Sequence, residues 1–305
     1  MSDGGGANRG SGSHSTATIS IAQTAPIRIH HLTETLCEDD PALRRSLPPA
    51  AERALRLCGA RTADAGEIER ALADDVALSG TLVAVASAGL FAPRAAVSGV
   101  RGVVMHLGLD ATRDAVVMGV LNRIAAAVPG FEARAEALRR RALAAGLAGR
   151  LIAWALKVES GQDFLVGLIH DVGELVLLQR AAEEGILPRG VLEDPADGPL
   201  ILQAIEEDHA RVGAAVCRAW GLSPAVAEAA EFHHDRRARR RGRLPSQLAA
   251  AADVIAAHVT GTPTAAPDPE GERQPIFAEV GLSPTAAATV ISEVEAALPA
   301  YVQLR

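Results

Sequence analysis

From about residue 27 onward, the apolar residues of this 305-residue chain recur three or four positions apart and almost nowhere alternate. That spacing follows the 3.6-residue turn of a helix and not the two-residue repeat of a strand, so the stripes are buried by packing helix on helix. Ile68, Leu72 and Val76 form one stripe, and Leu78, Leu82 and Val85 a second, before Gly89 and Pro93 interrupt the pattern. Pro48-Pro49 lead into a helix over 50–58, because proline is tolerated in a first turn and not deeper. Further helices are predicted over 97–107 and 112–127. Val128-Pro129-Gly130 then separates an amino-terminal helical lobe, 27–130, from a carboxy-terminal lobe, 131–305. In the second lobe the spacing predicts helices over 133–158, 164–184, 200–220, 224–234, 245–259 and 284–298. Two of these follow the tetrapeptide Gly-Leu-Ser-Pro, in which Ser223 and Ser283 are caps and Pro224 and Pro284 open the helix. Residues 261–275 read as a linker rich in Pro, Gly and charge. The expected fold class is all-α.

Composition narrows the setting. With 49% hydrophobic and 22% charged residues the chain can bury a full core and stay soluble. No apolar run reaches the roughly 18 residues a membrane span needs. Residues 1–26 are rich in small polar residues without periodicity or an apolar signal core, so they are read as a disordered tail on a cytoplasmic protein. Cys37, Cys58 and Cys217 lack any paired spacing and read as small buried hydrophobes. A net charge of −7 and 3% aromatic content argue against nucleic acid as the partner. One local exception is the run Arg236, Arg237, Arg239, Arg240, Arg241 and Arg243, in a chain whose only lysine is Lys157. It is either a solvated loop or a contact for an anion or an acidic protein surface.

The chemistry-bearing residues interrupt apolar stripes. The run Phe-Leu-Val-Gly-Leu-Ile-His-Asp-Val-Gly, residues 164–173, ends in His170 and Asp171, a nitrogen donor beside a hard carboxylate, which together can chelate a metal ion. His209 shares a helical face with Ile201, Ile205, Val212 and Val216, and His233 shares one with Val226 and Ala230, while His234 lies about 100° further round. Asp253 interrupts the stripe of Leu248, Ala252, Ile255 and Val259. Taken singly, His209 is equally a core histidine, the His233-His234 pair a complement to a helix dipole, and Asp253 a capping or surface residue.

The order His170-Asp171, His209, His233-His234, Asp253 resembles the HD superfamily of helical metal phosphohydrolases, and within it the HDOD domain of bacterial signalling proteins. The wording of 164–173, the stretch Asp208 to Ala214 followed by Trp220, and Glu228 to His234 carry the resemblance; 78–91 and 97–109 fit more loosely. The resemblance implies an HD-like multi-helix domain with an amino-terminal helical lobe. It also implies a metal set of His170, Asp171, His209, His233 and Asp253, with His234 as an outer or alternative ligand, for a divalent Fe, Mn, Mg or Zn. Two departures stand against hydrolysis. Arg141 lies nearest the position of the family's first metal-binding histidine, and an arginine has no lone pair for a metal. Glu174 stands where hydrolytic relatives, with His-Asp-x-Gly-Lys, carry a phosphate-binding lysine. The Gly-Tyr-Pro element of the cyclic-dinucleotide phosphodiesterases is replaced by Asp235-Arg236-Arg237. The resulting expectation is a catalytically degenerate signalling module that binds a signalling protein or senses a ligand. The alternatives are a metal-dependent phosphohydrolase, and an anion- or nucleotide-binding switch using Arg141, Arg236, Arg237, Arg239 and Arg240.

Overall fold

The computed structural model describes residues 21–38, 40–60, 63–88, 97–241, 243–262 and 273–304. Among them every regular element is helical, with fifteen α-helices, a short 3-10 turn at Val191–Glu193 and no strand. None of these helices is long and apolar enough to cross a membrane.

Helix α1 (Ile21–Glu38) begins ahead of the expected onset of order at residue 27, because Ala25, Ile29, Leu32 and Leu36 form one buried stripe that includes part of the segment read as tail. With α2 (Asp40–Arg45) it packs chiefly on α10 (Gly198–Ala219), so the first two helices lie against the carboxy-terminal half of the chain. Helices α3 (Pro49–Ala60), α4 (Ala65–Leu72), α5 (Val76–Ala86) and α6 (Gly99–Ala126) pack together. Asp64 opens α4 with a reciprocal capping box to Glu67. The two helices predicted over 97–107 and 112–127 join as α6, kinked at Gly108, whose φ of 74° a side-chain-bearing residue rarely adopts. Gly89, Pro93, residues 1–20 and most of the expected linker lie outside the described residues.

Helix α7 (Glu132–Leu156) is central, touching α6, α8 (Asp163–Ile169), α13 (Leu244–Thr260) and α15 (Pro284–Val302). Helix α9 (Val172–Glu183) lies on α10, which also holds α11 (Pro224–Phe232). Ser223 and Ser283 accept from the amides of Val226 and Ala286, the capping predicted for the two Gly-Leu-Ser-Pro segments. Four helices fall where none was predicted: α1 and α2, α12 (Arg236–Arg240), in the arginine run, and α14 (Arg273–Val280), which starts in the expected linker and runs past its end. One continuous apolar core connects the elements, with Cys58 and Cys217 inside it and Cys37 half-buried at its edge.

The single helix predicted over 164–184 is two, α8 and α9, parted at His170 and Asp171. Backbone contact fixes both. A Cβ on Gly167 would lie 2.0 Å from the Ala145 carbonyl oxygen of α7, and one on Gly173 would lie 1.9 Å from the His209 carbonyl oxygen of α10. The helices meet main chain to main chain on either side of the His-Asp pair, and only glycine permits that approach.

Candidate functional site

His170 ends α8, Asp171 fills the α8–α9 break, His209 sits in α10, His233 and His234 follow α11, Asp253 lies in α13 and Arg141 in α7. The structure brings all of them into one pocket. His170, His209, His233, Asp253 and Arg141 are buried, while His234 keeps 37% of its side chain exposed.

One half of the pocket is built from imidazoles. His233 Nε2 lies 3.1 Å and His209 Nε2 3.4 Å from Asp171 Oδ1, and the two nitrogens are 3.3 Å apart. The Nδ1 atoms of His209 and His233 face the carbonyl oxygens of Glu206 and Ala230 at 2.6 and 2.9 Å, and that of His170 faces Gly167 at 2.7 Å. A carbonyl only accepts, so Nδ1 carries the proton and a neutral ring presents its Nε2 lone pair to the centre. Ligand bonds of roughly 2.0–2.1 Å in tetrahedral coordination set ligand atoms about 3.3 Å apart, which the triangle of Asp171, His209 and His233 matches. Ligand atoms of these three and His234 all lie within 4.8 Å of one another. The residues therefore fit a single divalent metal.

The other half holds a guanidinium. Arg141 donates to Asp253 Oδ1 through Nε at 2.9 Å and Nη2 at 2.5 Å, and Nη2 lies 3.7 Å from Asp171 Oδ2. His170 Nε2 faces the same carboxylates, 3.1 Å from Asp171 Oδ2 and 3.3 Å from Asp253 Oδ1, but is sealed from solvent without an aligned hydrogen bond. Burial disfavours the charged imidazole, yet the Asp171 and Asp253 charges outweigh it and push His170 up to about 10. His209, opposed by burial and supported by Asp171, rises to about 9. Burial and the neighbouring imidazoles drive His234 down to about 2, and burial lowers His233. Burial acts against ionising Asp171 and Asp253, but His170 and Arg141 hold both carboxyls below the usual range.

Several contributors escaped the sequence reading. Arg134 of α7 is one: it forms a close pair with buried Glu174, the anion that stands in place of the family's lysine. Glu206 has carboxylate oxygens 3.6 Å from His209 Nδ1 and 3.5 Å from His234 Nε2; its i, i+3 spacing to His209 was the available signal. The candidate anion-binding arginines fall in different settings. Arg141 is engaged by carboxylates, and Arg239 turns inward onto Glu279 and the His233 carbonyl. Arg240 approaches Glu279 at 3.6 Å, which leaves Arg236 and Arg237 as the exposed members without such a tie.

Among solved structures, an HDOD domain protein of unknown function from Geobacter sulfurreducens superposes with a TM-score of 0.66 at 19% identity, over 85% of this chain and 92% of its own. A protein from Shewanella amazonensis SB2B named "Putative metal-dependent phosphohydrolase" gives 0.61 at 20% identity, over 89% of this chain and 99% of its own. A "Putative signal transduction protein" from Marinobacter aquaeolei VT8 gives 0.59 at 19%, over 94% of this chain and 68% of its own. No curated protein matches the chain. At these identities the likeness establishes the helical fold. The HDOD domain model matches residues 45–236, the greater part of the described helices and six of the seven clustered residues, all but Asp253, and the chain belongs to the HDOD domain family.

Proposed function

We propose that this chain is an HDOD signalling module with a catalytically degenerate centre, acting through a protein partner or by sensing a ligand. The observation that carries the reading is the Arg141 guanidinium, bonded to Asp253 and near Asp171, where the HD plan calls for a metal-binding histidine. It supplies the positive charge those carboxylates need, but offers no coordination position for a phosphate oxygen or a water molecule. Arg236 and Arg237 on α12 provide a small basic face suited to an acidic protein patch, in a chain whose charge of −7 disfavours a polyanion.

The imidazole half supports a second reading, retention of one metal by Asp171, His209, His233 and His234. A divalent ion bound there would supply Lewis acidity, and the nitrogen-rich set suits Zn, Fe or Mn better than Mg. The chain's own part is to hold the Nδ1 atoms of His209 and His233 on carbonyl oxygens and so orient their Nε2 atoms toward Asp171.

Metal analysis and a phosphodiester screen on the purified protein test both readings. The expected result is at most one metal per chain and little turnover, with Arg141→His raising metal affinity. Robust hydrolysis of a cyclic dinucleotide, lost in His170→Ala or Asp171→Ala, would overturn the degenerate reading.

A further inference from the structure

The arginine run is the most prominent sequence feature the pocket leaves unused, and one of its members is not on the surface. Arg239 keeps only 8% of its side chain exposed. Its Nη1 donates to the His233 carbonyl oxygen at 2.5 Å, and its Nε to Glu279 Oε2 of α14 at 3.1 Å. Gln247 of α13 donates to the Arg239 carbonyl at 2.7 Å, and the Asp235 carboxylate caps the turn that delivers the side chain, accepting from the amides of Arg237 and Ala238.

We propose that Arg239 is a positioning residue for the His233–His234 turn, and that Glu279 makes that position depend on the docking of α14. Carbonyls in the last turn of a helix have no partner within it, and His233 O, just past α11, is one of these. A buried guanidinium that caps such a carbonyl fixes the backbone on which both imidazoles are mounted. His233 Nδ1 is already held by Ala230 O and its Nε2 faces Asp171, so displacement of its backbone transfers directly to the Nε2 triangle. A binding constellation tolerates about 0.5 Å of such error. Glu279 is 14% exposed and is the acidic partner that offsets the cost of burying the Arg239 charge, so movement of α14 releases the cap. The pocket and the helix at 273–280 thereby share one buried ion pair.

The test uses the full chain and two readouts. The first is affinity for Co2+ alone, followed by its visible absorption, and this rests on the one-metal reading. The second is the ring 1H–15N signals of His233 and His234 in metal-free protein, which does not. Arg239→Gln is expected to weaken Co2+ binding about tenfold, as loss of an outer contact does at metal sites, and to shift both ring signals. Glu279→Gln should move both in the same direction by less, and serves if Arg239→Gln does not fold. Arg236→Gln with Arg237→Gln should move neither. The exchange Arg239→Glu with Glu279→Arg restores the tie to α14 and the thermal midpoint but cannot donate from position 239 to His233 O, so the ring signals should stay displaced. Folded Arg239→Gln protein with wild-type ring signals, or their return in the exchanged pair, would overturn the proposal. Wild-type protein that binds no Co2+ removes the metal reading and leaves the ring signals to decide this one.

Discussion

Replacing Arg141 by methionine removes the guanidinium while keeping most of the volume, and leaves Asp253 and Asp171 buried with His170 as the one cation close to both. Two charge-assisted bonds to Asp253, at 2.9 and 2.5 Å, are lost. Removing one partner of a buried ion pair costs about 3–5 kcal/mol, most of it the penalty on the abandoned charge. With an unfolding entropy of about 2.1 cal/mol/K per residue, a chain of this length changes by about 0.6 kcal/mol for each degree, so Tm should fall by about 5–8 °C. The loss should depend on pH in a defined direction. Without the guanidinium, burial drives the Asp253 pKa upward, so the variant relieves the penalty by taking up a proton. The wild-type carboxyl, held low by Arg141, does not. Thermal melts in chelator at pH 8 and pH 5 should therefore show a larger deficit at pH 8. A Tm within about 1 °C of wild type at pH 8, or equal deficits at the two values, would refute the view that these carboxylates require Arg141 in addition to His170.

Two further outcomes follow from the same geometry. Metal-free protein should be most stable near pH 6.5: against the cost of burial, Asp171 holds His170 near 10 and His209 near 9, so the native state retains protons that the unfolded chain releases as pH rises through 6.5 to 9. Below 6.5 the sign reverses, because burial keeps His233 and His234 neutral while the unfolded chain takes up protons; a Tm that rises steadily from pH 7 to 9 would contradict this balance. Gly173→Ala should cost at least about 3 kcal/mol, since its methyl would lie 1.9 Å from the His209 carbonyl oxygen and the helices must part; denaturant melts within about 0.5 kcal/mol of wild type would mean that α9 and α10 are less closely held.

The all-helical class and the convergence of the pocket residues were legible because the relevant side chains break otherwise continuous stripes: His209 among Ile205 and Val212, Asp253 between Ala252 and Ile255. The α8–α9 break was not, since Leu168, Ile169, Val172 and Val176 continue the apolar pattern across it and the parting depends on contact with α7 and α10. Helix α12 was hidden for the opposite reason. Ala238 is the single apolar residue in it, and its anchor is the Arg239 side chain, whose composition reads as surface. The same blindness covered Arg134 and Glu279, charged residues whose burial is decided by partners far away in the chain. The onset of α1 was set too late because residues 1–26 read as small polar residues without periodicity, whereas Ala25 already lies on the buried stripe with Ile29.

The glycine contacts flanking His170 and Asp171 have an evolutionary consequence. Gly167 and Gly173 set the position of that dipeptide by peptide groups touching peptide groups, with no side chain as spacer. Substitutions among the neighbouring side chains then leave the location of the dipeptide nearly unchanged, so a lineage can exchange lining residues without first rebuilding the scaffold. Change of chemistry and retention of architecture become separable steps: a designer altering the lining residues of such a chain should leave both glycines alone.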